Sequence, residues 1–297
     1  MANASSVSGE PKLPLDLEHR IFEIAAMACP VSIPRLMLVA WRVKDWVEPL
    51  LYRVVFLPHP TPRKDESRAF GIPTFRDDAV QQCPSTWLQQ LKHLYIGHTV
   101  KEPFVTDWLS ACSGVTNLSA GFYNYSPGVL HALGTLHSVQ YLTIDVRALF
   151  HPEVPHSLFL TVTHLDLFEM LGLGTERADS ISAKLALMPH LTHFAYWPRT
   201  HGSMSQAGVH TDTRLKCIVF LSWEEYPMQQ SSPLLDDSRF VAIQQKSGSS
   251  LDWLRGAVGA VDRWALADAF IAARQAGKVE RSRYQISDSE TENSWWI

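Results

Sequence analysis

Histidine is the residue type here best suited to chemistry. There are 13, and imidazole can serve as base, acid or metal ligand near neutral pH. No H-E-x-x-H helix holds them, and no G-x-S-x-G turn or phosphate-binding glycine loop accompanies them. His190 and His193 lie close together, but inside the apolar run MPHLTHF. His164, Asp166 and His193 are of zinc-ligand type, yet the spacing specifies no complete ligand set. A His–Asp pair without an activated nucleophile does not catalyse acyl transfer. Cys217 stands alone in an apolar stretch, where a thiol acts as core. The reading predicts no enzyme, no metal and no cofactor.

The rest of the composition narrows the class. The chain has 297 residues, 46% hydrophobic and 19% charged, so it can bury a core and is not globally disordered. A net charge of −4 gives no reason to expect nucleic acid as a partner. Cys29, Cys83, Cys112 and Cys217 are scattered without a CxxC pair, which argues against a zinc ribbon or a disulfide scaffold. The opening MANASSVSGE lacks the basic and apolar regions of a secretory signal. The apolar stretch Ile21–Trp41 carries Glu23, Pro30, Pro34 and Arg35, so no membrane helix is expected. These features predict a soluble protein of the cytoplasm or nucleus.

The elements that must position these side chains follow from periodicity. Residues 1–11 are small and polar and predict disorder. Leu17, Ile21, Ile24 and Ala25 recur on one helical face, which Cys29-Pro30 should end. Leu36, Val39, Ala40, Val43 and Val47 predict a second helix, limited by Pro49. LLYRVVFL at 50–57 reads as a strand. Near the other end, 262–275 predicts an amphipathic helix stopped by Gly277, and 284–297 an acidic disordered tail.

Between these ends an apolar triplet recurs. It is met by Leu91/Leu94/Ile96, Val115/Leu118/Ala120, Val139/Leu142/Ile144, Val162/Leu165/Leu167, Leu191/Phe194/Tyr196 and Leu215/Ile218/Phe220, with start-to-start spacings of 24, 24, 23, 29 and 24. That period predicts a leucine-rich-repeat solenoid, degenerate because the usual ladder asparagine is replaced at Thr99, Tyr123, Arg147, Met170 and Arg199. The expected fold is α/β: a helical module at 12–49, a solenoid at 50–245, a capping-helix region at 246–283 and a tail. Strand side chains alternate, so His93, Tyr95, Tyr141, Thr143, Asp145, His164, Asp166, Phe168, His193 and Trp197 should share the inner face. That face is the candidate surface for an unknown protein substrate.

The stretch LPLDLEHRIFEIAAMACPVSIPRLMLVAWRVKDWVEPLLYRVV resembles the F-box, with Leu13-Pro14 at its start, an apolar helix, a turn at Pro30 and a helix running to Trp46. The segments DSRFVAI and DRWALADAFIAAR resemble the later parts of fungal F-box-like proteins. The resemblance implies a substrate-recognition subunit of a cullin–RING ubiquitin ligase that docks on the Skp adaptor. Carried over by position, Leu13, Pro14, Leu17, Ile21 and Ile24 would make that contact, with Leu36 and Val39 from the second helix. The alternative is a repeat scaffold that binds a protein partner without any ligase.

Overall fold

The computed structural model describes residues 13–57, 70–72, 75–121, 125–168, 181–197, 209–224 and 232–289. The expectations for 1–11 and 290–297, and the ladder positions Tyr123, Met170 and Arg199, lie outside these residues.

Three short helices open the chain: α1 (Leu15–Ala28), α2 (Ile33–Leu36) and α3 (Trp41–Val47). They share a small core of Ala26, Ile33, Val43 and Val47, against which Phe22, Leu36 and Trp46 pack. The second helical stretch is broken, since Ala40 is extended at φ −164°, ψ 156°. Pro49 starts a tight single turn over Glu48–Tyr52, so the first strand begins only at Val54.

Among the described residues nine strands follow: β1 (Val54–Leu57), β2 (His93–Ile96), β3 (Asn117–Ala120), β4 (Tyr141–Asp145), β5 (His164–Phe168), β6 (His193–Trp197), β7 (Cys217–Ser222), β8 (Phe240–Gln244) and β9 (Gln285–Ser287). They form one sheet in chain order, every neighbouring pair parallel. Parallel neighbours need crossovers. Helices that supply them include α4 (Ser85–Leu88), α5 (Glu102–Ala111), α6 (Pro127–Gly134), α7 (Val146–Phe150) and α8 (Ile181–Leu185). Their inward residues, among them Trp108, Leu109, Leu133, Leu149 and Leu185, meet Leu94, Leu118, Leu142, Leu165, Phe194 and Ile218 of the strands in one continuous core.

Tight Asp-x-Arg turns secure this layer. Asp212 accepts the Arg214 backbone N–H and pairs with its guanidinium, which donates to the carbonyls of Met188 and Leu185. Asp237 and Arg239 repeat the arrangement one strand later, on the carbonyls of Asp212, Leu215 and His210. Each arginine thereby ties its turn to carbonyls of neighbouring segments of the same layer.

The opposite face of the sheet is covered too. Helix α9 (Ser249–Ala257) lays Trp253, Leu254 and Ala257 on Val54 and Phe56 of β1. Helix α10 (Arg263–Gln275) lays Trp264, Leu266, Ala267, Phe270 and Ile271 on Ala195, Cys217, Val219, Leu221, Val241 and Ile243. Asp262 caps α10 by accepting from the Ala265 N–H at 2.9 Å. Gly277, at φ 74°, ends it in the left-handed conformation, and the Lys278 N–H returns to the Ala273 carbonyl.

This architecture corrects the expected one. The chain is not a helical F-box-like module followed by a leucine-rich-repeat solenoid with a helix capping its end. It is an α/β structure around one open, nine-stranded, all-parallel sheet that alternates with helices. The C-terminal helices cross the sheet face instead of closing the stack. The physical reason is visible in CIVFLS of β7 and FVAI of β8, which are apolar on both faces. A parallel sheet with both faces buried reads as continuous apolar strands, and a triplet template registers one face alone. Residues 284–289 also depart from the expected tail. Gln285–Ser287 pairs with β8, and Asp288 accepts the backbone N–H groups of Lys246 and Ser247 at 2.9 Å each.

Candidate functional site

Among the described residues, most of the exposed large apolar side chains lie on or beside the N-terminal helices. Helix α1 turns Phe22 and Ala26 inward. Its stripe of Leu17, Ile21 and Ile24 is therefore left in solvent, together with Leu13, Pro14 and Leu15 before and at its start. In the turn between α2 and α3 and at the first residue of α3, Leu38 at 86% exposed, Val39 and Trp41 at 79% are in solvent too. Of the residues expected at an adaptor contact, Leu13, Pro14, Leu17, Ile21, Ile24 and Val39 are exposed together, and Leu36 is half-buried against the small core. Large apolar side chains left in water on a chain with a well-filled core make this a candidate interaction surface. Leu15, Leu38 and Trp41 are exposed as well and were not among the expected contacts; the break at Ala40 leaves Leu38 and Trp41 outside the small core. Charged neighbours frame the surface: Glu18 pairs with Arg42 at 2.8 Å and Arg20 with Glu23 at 2.6 Å.

The second candidate surface, the inner face of the sheet, is in place as a face but not as open ground. His93, Tyr95, Tyr141, His164, Phe168, His193 and Trp197 are half-buried, and Asp145 and Asp166 are buried. Tyr141 stacks on His164 at 4.2 Å and His164 on His193 at 4.1 Å, one ring per strand, with Trp264 of α10 set edge-on against both histidines. Burial, aided by the neighbouring His193, pushes His164 down to about 3, so it is neutral at physiological pH. His93 packs edge-on against Trp253, and burial beside Arg53 and Lys92 lowers it to about 4. Asp145 does not face a ligand. It caps α7 by accepting the Arg147 N–H at 2.8 Å and pairs with the Arg147 guanidinium.

Asp166 belongs to a buried ion cluster. Arg263 of α10 donates to Asp166 and, at 2.5 Å, to Asp252 of α9, while its backbone N–H reaches Asp252 at 2.9 Å. Burial opposes the charge on Arg263, but the surrounding carboxylates raise its affinity for the proton above the ordinary guanidinium. Trp253 adds a hydrogen bond from its indole to Asn117 at 2.9 Å. These polar links bind both covering helices to the middle of the sheet. No signal in residue spacing could have paired Arg263 with Asp166, because the two are joined by the fold alone.

At the carboxyl ends of β5 and β6, Phe168 and Trp197 reach the edge of the covered region, where Trp197 lies 5.3 Å from the exposed Trp223. The four cysteines are free thiols. No helix among the described residues is long and apolar enough to cross a membrane. No family model matches this chain, and no curated protein matches its sequence.

Proposed function

We propose that this chain is a non-catalytic substrate-recognition subunit of a cullin–RING ubiquitin ligase in the cytoplasm or nucleus, docking on the Skp adaptor through its N-terminal helices. The observation that carries the reading is the exposed stripe of Leu13, Leu17, Ile21 and Ile24, continued by Leu38, Val39 and Trp41. An apolar helix face with no intramolecular partner suits insertion into a groove on another protein. The same stretch is the one that resembles the F-box. The sheet supports the reading as a rigid mount, and the aromatic edge of Phe168, Trp197 and Trp223 is the proposed contact for a protein substrate. Tyr141, His164 and His193 then position α10 instead of meeting substrate.

Titration of the full chain with purified Skp adaptor tests this. Each Leu or Ile buried in the complex contributes roughly 1.5–3 kcal/mol. The double variant Leu17→Ala, Ile21→Ala should therefore bind about a hundredfold more weakly or worse. Absence of binding by the wild-type chain at tens of micromolar, with the helices folded, would leave the exposed stripe as the docking face of a scaffold outside any ligase.

A further inference from the structure

Three ligand-type side chains from three elements converge under α10. His193 opens β6, Cys217 opens β7 directly beside it in register, and Asp268 reaches over from the helix. One ligand atom from each lies within 4.8 Å of the other two. His193 Nε2 is 3.2 and 3.3 Å from the two Asp268 carboxylate oxygens.

The Thr192 hydroxyl lies 2.8 Å from His193 Nδ1 and 3.2 Å from the Thr163 carbonyl, and holds the imidazole from its far side. In the tautomer with its proton on Nδ1, the ring presents a lone pair at Nε2 beside the Asp268 carboxylate, where an ion can join the two; in the other tautomer Nε2–H donates to that carboxylate. Orientation of a ligating histidine by a fixed partner on its other nitrogen is the usual support of a metal site. The neighbouring strand repeats the device, with Thr163 donating to Gln140 and facing His164 Nδ1 at 2.9 Å.

The buried Cys217 thiol completes the set. A nucleophile must be reached by substrate, and Cys217 is fully enclosed. A small ion needs only to enter beside the exposed Asp268.

We propose that His193, Cys217 and Asp268 form a binding site for a zinc-type divalent ion, with three protein ligands and a fourth position open to water next to Asp268. Nitrogen, sulfur and carboxylate ligands together suit this borderline-soft ion. Zinc bonds of about 2.0–2.3 Å place tetrahedral ligand atoms roughly 3.3–3.8 Å apart. The present cluster needs a closure of about 1 Å to reach that. Binding forms a Zn–S bond, a Zn–N bond and a Zn–O bond. The thiol proton passes to solvent and no electron is transferred. The ion would clamp α10 to β6 and β7, reinforcing the cover over the sheet.

The test uses the purified full-length chain, stripped with a chelator and titrated with Co²⁺ and then Zn²⁺. The expected result is one equivalent of cobalt with a thiolate-to-metal charge-transfer band, displaced by zinc, and a higher unfolding temperature in zinc. Cys217→Ala should abolish the band. Asp268→Asn, a change at an exposed position that leaves the core intact, should weaken binding by more than about tenfold, the lower bound for loss of even a supporting group. A wild-type chain with neither band nor thermal shift overturns the site and leaves His193–Asp268 a direct imidazole–carboxylate contact. A band that persists in Cys217→Ala overturns it equally, by placing the metal on another thiol.

Discussion

Replacing Arg263 by leucine removes the cation from the centre of the buried cluster while keeping the bulk of the stem. Asp166 and Asp252 are both buried. Asp252 would keep the backbone N–H of residue 263, and Asp166 would keep only the long contact from Thr143 at 3.4 Å. Breaking a buried ion pair from one side costs about 3–5 kcal/mol, because a charge remains without compensation. Two carboxylates lose a partner here, but protonation of Asp166 caps the loss, so the same range applies to the pair. Against a typical total of about 5–15 kcal/mol, that is a large share of the stability. The direction of its pH dependence also follows. Burial already pushes the Asp166 carboxyl up, and Arg263 holds it down. Without Arg263 the folded chain binds this proton more tightly than the unfolded chain does. Stability of the variant then falls as pH rises, and its deficit against wild type is larger near pH 7 than near pH 5. Urea denaturation of both proteins at the two pH values measures this. A loss below about 1 kcal/mol at neutral pH, or a deficit that grows on acidification, would refute the account of the cluster.

Three further outcomes are expected. The Leu17→Ala, Ile21→Ala variant should unfold within about 0.5 kcal/mol of wild type, because both positions are exposed; a large loss in denaturant titration would place them in a core. Trp253→Phe leaves the Asn117 side-chain oxygen buried without its indole donor and should cost about 1–3 kcal/mol, read from the shift in denaturation midpoint. His93, held near 4 when folded against an ordinary value near 6.5, takes up a proton more readily in the unfolded chain, so its contribution is full above that ordinary value and is lost as pH falls from about 6.5 towards 4. His93→Phe should flatten the acid limb of the stability profile, and an unchanged slope would remove His93 from its cause.

Much of the local structure was legible in the residues. The apolar triplets mark β2 to β7, since each places alternate side chains on one side of a strand and the rise and pleat of a strand are local properties. Helix α10 was legible from its spacing and from Asp262 and Gly277 at its ends, and α1 from Leu17, Ile21 and Ile24. The exposed stripe was legible as a set of residues, though not as a surface, because an apolar face reads identically whether it packs inward or waits for a partner.

The sequence by itself marked the helices α1 and α10 and the strands β2 to β7. Those features depend on neighbours within a few residues. Only the tertiary structure decided that the second face of the sheet is roofed by α9 and α10, that Arg263 meets Asp166 and Asp252, and that His193, Cys217 and Asp268 converge. Such contacts join residues far apart along the chain, such as Trp253 with Asn117. They arise because strands such as β7 and β8, apolar on both sides, must bury both sides, and α9 and α10 bring apolar faces to the second one. The apolar residues of α10 were visible as a pattern, but the surface they would cover was not, since periodicity records which way a side chain points and not what it meets.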